Sequence, residues 1–146
     1  MKKIFISSDH AGFTLKEQIK KKFSKKYMFL DLGTNNSHVS VNYPDFAHKL
    51  CKKVSNNNKN TGILICGSGF GVAIAANRYP HIRAVTVRTP KEAEMSRLHN
   101  DANVLCLGAD FTSTKDALKI IDKFLTTKFE GGRHQKRIDK LKNMFG

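Results

Sequence analysis

The chain has 146 residues, 40% of them hydrophobic, and a formal charge of +14, which suits one domain over residues 1–146 with a real core and is too short for two ordinary ones. No apolar run approaches the roughly 20 residues that span a bilayer, and Ser7, Ser8, Asp9 and His10 cut the apolar start too short for a signal peptide, so no membrane association and a cytoplasmic location are expected. Cys51, Cys66 and Cys106 form no C-x-x-C pair, which argues against a disulfide scaffold or a structural zinc site and suits a reducing compartment.

Lys3 to Ser7 reads as a first strand and Thr14 to Lys26 as the helix after it, with Leu15, Ile19 and Phe23 as its apolar stripe. The lysine run Lys16, Lys20, Lys21, Lys22, Lys25 and Lys26 is then expected to form a solvated face. Met28 to Leu32 gives a second strand. Tyr43-Pro44-Asp45 opens a helix carrying Phe46, Ala47, Leu50 and Val54, with proline at an early position where its missing N–H costs nothing. After the polar loop Asn56 to Asn60, Gly62 to Cys66 is the clearest buried strand, and Val72 to Asn77 a short helix of small residues. Ile82 to Val87 reads as a fourth strand, Pro90 to His99 as a helix, Val104 to Leu107 as a fifth strand. Ser113 or Thr114 caps a further helix running to about Leu125. Glu130-Gly131-Gly132 breaks the chain, and Arg133 to Phe145 resumes as a basic helix with Ile138, Leu141 and Phe145 on one stripe. That helix can pack on its own domain or cross to a neighbouring subunit.

Continuous apolar strands separated by helices predict an α/β fold: a doubly wound, open, Rossmann-like parallel sheet of about five strands, covered on both faces. Ligands of such sheets bind beyond the carboxyl ends of the strands, so the segments after each strand are the ones to read for chemistry. Gly67-Ser68-Gly69-Phe70-Gly71 follows a buried strand and precedes a helix, which lets backbone amides face an anion. It lacks the lysine of a Walker loop and the spacing of a dinucleotide fingerprint. Cys66 stands at the mouth of that loop, where a thiolate is stabilised and can act as base or nucleophile. Cys51 and Cys106 read as packing. Asp9 and His10 follow the first strand, with Asp9 also a plausible helix cap. His99-Asn100-Asp101 is grouped with them on the ligand edge. Arg133, His134 and Arg137 place two guanidiniums about one helical turn apart, an arrangement that suits a phosphate. The +14 charge alone would suit a polyanion binder, but the lysines are spread and no nucleic-acid motif is present, so nucleic acid is not the expected partner.

These segments resemble a known family. Ser8 to Gly12, Asn42 to Asp45, Cys66 to Asn77, Ser96 to Leu105 and Glu130 to His134 occur in the order and spacing of ribose-5-phosphate isomerase type B, whose family also holds the galactose-6-phosphate isomerase subunits. The resemblance implies interconversion of ribose 5-phosphate and ribulose 5-phosphate through a cis-enediol, without metal or cofactor. It also implies a homodimer with active sites at the subunit interface, in which the C-terminal helix is exchanged, and which can pair into a tetramer. Under it, Cys66 matches the proton-transferring base and Ser68 the hydroxyl that shuffles protons between the oxygens. His99 matches the acid that opens the furanose ring, with Asp9 as its counterpart. His10, Tyr43 and Asn100 match sugar contacts, the amides of Gly67 to Gly71 the enediolate site, and Arg133, His134 and Arg137 the phosphate end. Some members carry a glutamate in the glycine loop instead of the cysteine; here that position is Val72. One departure is plain: the family's phosphate-contacting arginine after the fifth strand is Asp110 in this chain. The alternative readings are a six-carbon substrate, of galactose-6-phosphate or allose-6-phosphate type, and a non-catalytic polyanion-binding protein.

Overall fold

The computed structural model describes every residue except Asn143, Phe145 and Gly146; the expected contribution of Phe145 to the last apolar stripe therefore lies outside the described residues. Five strands, β1 (Lys2–Ser8), β2 (Tyr27–Asp31), β3 (Gly62–Cys66), β4 (Ala84–Thr86) and β5 (Val104–Gly108), form one sheet in the order β2-β1-β3-β5-β4. Every pairing is parallel. The helices are α1 (Phe13–Phe23), α2 (Tyr43–Val54), α3 (Phe70–Ala76), α4 (Pro90–Asn100), α5 (Thr114–Thr126) and α6 (Arg133–Lys142).

Because side chains alternate along a strand, the central strands feed two apolar layers. Ile4, Ile6, Ile63, Ile65, Leu105 and Leu107 meet Leu15 and Ile19 of α1, Ala93 of α4 and Ile120 of α5 on one face. Phe5, Leu64, Cys66 and Cys106 meet Leu50 and Val54 of α2 and Val72 and Ala76 of α3 on the other. Right-handed crossovers require this split, since the chain leaves β1 toward β2 in one direction and β2 toward β3 in the other. The direction of winding reverses between β1 and β3, and the crevice beyond that point is where a doubly wound sheet takes its ligand.

The structure revises three local expectations. The fourth strand shortens to β4 because Ile82 N–H donates to Tyr79 O in a turn and Arg83 N–H to Asn103 Oδ1, so the ladder to β5 starts late. The third helix starts earlier, at Phe70, because left-handed Gly69 (φ 80°) turns the chain straight from the loop into α3. Lys16 is not on a solvated face: it is 1% exposed, and its ammonium donates to both carboxylate oxygens of Asp31 and to Thr34 O. Burial alone would push the Asp31 carboxyl up; the hydrogen bonds from Lys16, Lys20 and the Gly33 amide outweigh it and hold it below its ordinary value. The loop after β2 is thereby clamped to α1. At the end of the chain, α6 packs His134 and Ile138 inward, with α4 as its neighbour, and leaves Leu141 53% exposed.

Candidate active site

Cys66 is the last residue of β3, and its sulfur accepts the Gly69 N–H at 3.2 Å. A negative charge on that sulfur would meet a donor rather than bare hydrocarbon. Gly69 is required twice over: its φ is 80°, and a Cβ there would lie 2.8 Å from the carbonyl carbon of Leu107. The loop is pinned further by Thr86, whose hydroxyl donates to Gly69 O at 2.6 Å, while Phe70 N–H donates to Ser68 Oγ at 3.1 Å. The other two cysteines sit in the same apolar layer. Burial pushes the Cys51 thiol up to about 12, and burial with the neighbouring sulfurs pushes Cys106 well above its ordinary value, so both stay thiols.

The segment after β1 lies against this loop. Asp9 is buried, its N–H donates to Ile65 O at 3.3 Å, and its carboxylate accepts Gly12 N–H at the entry to α1. His10 accepts the Val41 N–H on its Nδ1 at 3.1 Å, tying the loop before α2 to the same edge. The Tyr43 ring lies against Gly71, where an added Cβ would come within 2.7 Å of two ring carbons. Asp9, His10, Tyr43, Cys66 and Ser68 are therefore brought to one edge of the sheet, beyond the carboxyl ends of β1 and β3. Asp110 does not turn away from it. Its carboxylate leans over Gly67, with Oδ2 2.8 Å from the position of the absent Cβ. The exposed Arg88 guanidinium lies over the rings of Phe111 and Phe70, beside that mouth.

His99 is elsewhere, which corrects the sequence-based grouping. A helix that leaves the carboxyl end of β4 must return the chain to the amino end of β5, and α4 does so: Asn100 O and Asp101 O accept from Arg83 Nε just before β4, and Asn103 O accepts from Gly62 N at the start of β3. His99 and Asn100 thus lie at the opposite edge of the sheet from Cys66, and Asp9 is no neighbour of His99 within one chain. His99 stacks on His134, with ring centroids 4.3 Å apart and planes 17° from parallel. The Glu130 carboxylate stands 3.9 Å from the Nε2 of each. Arg133 and Arg137 are exposed on the first turns of α6, beside this pair.

The model of the family described as ribose/galactose isomerase matches residues 4–141. This chain belongs to that family. A Mycoplasma genitalium protein named probable ribose-5-phosphate isomerase B is 47% identical over 140 residues, covering 94% of this chain and 92% of the relative. The solved ribose-5-phosphate isomerase B of Clostridium thermocellum superposes with a TM-score of 0.94 at 43% identity, covering 97% of this chain and 96% of the other. That of Mycoplasma genitalium, solved with bound ribulose-5-phosphate, gives 0.93 at 45%, covering 97% and 95%. The chain is an isomerase of this family.

Within the ribose/galactose isomerase frame, Val72 is 1% exposed and packs beneath the loop rather than into the crevice, which leaves Cys66 as the titratable group of the glycine loop. Sequence reasoning missed Glu130, Val41 and the role of Gly71. Glu130 had a signal, its i,i+4 spacing to His134; Val41 contributes only a backbone amide and had none. Burial, together with the charges of His99 and Arg133, lowers the His134 pKa, with Glu130 opposing. The native state then resists a proton that the unfolded chain accepts below about 6.5. The stability this group contributes is full above that value and is lost as the pH falls toward the lowered native pKa. Urea midpoints at pH 7.5 and 5.5 should therefore drop more for wild type than for His134→Gln; a larger drop in the variant would mean that Glu130 dominates.

Proposed function

We propose that the protein interconverts D-ribose 5-phosphate and D-ribulose 5-phosphate by proton transfer through a cis-enediol, in a homodimer whose active sites each draw on both chains. The observation that carries the reading is Cys66 at the β1/β3 reversal, its sulfur held by the Gly69 amide at the head of a glycine loop against which Tyr43 packs. Cys66 removes the proton from C2 of the open-chain aldose and returns it to C1. Ser68 relays the proton between the two oxygens. The amides of Gly67 to Gly71 stabilise an enediolate whose charge exists only along the reaction path, so they act on turnover.

The furanose must open first, and the acid for that step is His99. Its place at the far edge of its own sheet supports a partner subunit supplying it, together with Asn100, Arg133, His134 and Arg137. Exposed Arg133 and Arg137 at the start of α6, with Leu141 uncovered further along, fit a helix that faces another chain. His10 and Tyr43 hold the sugar hydroxyls, and no step calls for a metal.

The test is a coupled assay of both five-carbon phosphates against galactose 6-phosphate and allose 6-phosphate, with and without chelator. Turnover of ribose 5-phosphate unaffected by chelator supports the reading. Exclusive use of a six-carbon phosphate would replace it, and Asp110 is the reason to include that arm: a carboxylate leaning over Gly67 repels a phosphate brought close. Arg133→Ala is expected to raise KM about tenfold or more with kcat within about threefold, since phosphate is held alike in ground and transition states. Steady-state kinetics decides this, and a loss confined to kcat would contradict it.

A further inference from the structure

The cluster of His99, Glu130 and His134 has a geometry that ring opening alone does not require. His134 is buried, with its side chain 7% exposed, yet its Nε2 has no hydrogen-bond partner among the described residues. At 3.9 Å the Glu130 oxygen is too far to be one. Such a buried nitrogen costs free energy unless something fills the gap. The same Glu130 oxygen is 3.9 Å from His99 Nε2, and the ligand atoms of all three residues lie within 4.8 Å of one another.

A point equidistant from three atoms so placed lies roughly 2.2–2.5 Å from each, against about 2.0–2.2 Å for zinc bound by imidazole and carboxylate. These distances are within a few tenths of an ångström of such bonds, and closing the site also requires one imidazole to rotate out of the stack. Two imidazoles and one carboxylate, with a further position open, form a donor set that zinc and its neighbours in the first transition row take, and magnesium and calcium do not. The scaffold holds two of the ligands in advance. Glu130 N–H donates to Leu98 O at 3.1 Å, beside His99, and the consecutive left-handed residues Gly131 (φ 74°) and Gly132 (φ 56°) fold the chain so that His134 follows within one turn. The stacked rings are nearly parallel, so their in-plane lone pairs converge only when one ring tilts. His99, 35% exposed at the end of α4 and without a hydrogen bond among the described residues, is the ring that tilts.

We propose that His99, Glu130 and His134 bind one divalent zinc-class ion, and that the bound ion takes His99 away from the substrate, so the metal inhibits. Arg133 and Arg137 on the same helix oppose a dication and weaken the site, which suits an exchangeable inhibitor better than a permanent structural ion. The inhibition rests on the role proposed for His99; the binding does not.

The full chain, dialysed against chelator, is titrated with Co2+ by visible absorption and with Zn2+ by calorimetry. One ion per chain is expected, with the intense bands of four- or five-coordinate cobalt, and zinc displaces it. Glu130→Gln, an exposed substitution whose folding circular dichroism verifies, and His134→Asn each weaken binding at least tenfold, whereas His81→Ala does not. Zinc inhibits wild-type turnover, and Glu130→Gln needs at least ten times more metal for the same effect. Absence of saturable binding, or an affinity that both variants leave unchanged, overturns the site and leaves the isomerase reading standing. Binding without inhibition overturns the second half of the proposal and removes His99 from ring opening.

Discussion

Alanine in place of Cys66 is expected to lower kcat/KM by ~10³-fold or more, the scale on which a positioned proton-transfer group acts. The fold should survive. The thiol is small, sits at the end of a strand whose Ile63, Leu64 and Ile65 are fully buried, and its removal leaves one unpaired amide, at Gly69, which costs about 1 kcal/mol. Substrate binding should survive too, because no part of the phosphate site involves sulfur. Equilibrium binding of ribose 5-phosphate beside steady-state turnover separates these effects. Turnover within tenfold of wild type would take Cys66 out of the mechanism. Cys51→Ala and Cys106→Ala provide the contrast: both thiols are buried in the α2/α3 layer, so both changes act on stability and leave kcat near its wild-type value.

Mixing two inactive variants should restore activity. Cys66 and His99 stand on opposite edges of one sheet, so the proposed site takes Cys66 from one chain and His99 from another. Cys66→Ala and His99→Asn homodimers each lack one group in both sites. After unfolding and refolding together in equal amounts, half of the dimers are mixed, and each mixed dimer holds one site with both groups in place; about a quarter of wild-type activity returns. Coupled turnover after mixing decides it. If activity stays at the sum of the two parents, both groups come from one chain, and the proposed subunit arrangement is wrong.

Much of the fold could be read from periodicity, because the central strands are continuous apolar runs that only a doubly covered parallel sheet accommodates. Gly62 to Cys66 is the clearest instance, and all five of its residues are buried. What periodicity does not carry is the neighbour order. Nothing local says that β5 lies between β3 and β4. The environment of Lys16 was likewise hidden, although it shares a helix face with Ile19 and Phe23; what neutralises it is Asp31, fifteen residues on and at the end of another strand. The turn after Cys66 was legible because glycines between a buried strand and a helix have few other reasons to cluster. The position of His99 could also have been derived, since a crossover helix must end at the amino edge. Grouping residues by chemistry obscured what the winding of the chain already required.

The contact between Val41 N–H and His10 Nδ1 decides which hydrogen the imidazole can offer. A ring nitrogen that accepts an amide cannot carry a proton, so neutral His10 is held as the tautomer protonated on Nε2, its free donor. A sugar oxygen at the contact proposed for this residue would therefore meet a hydrogen whose direction is set before the substrate arrives.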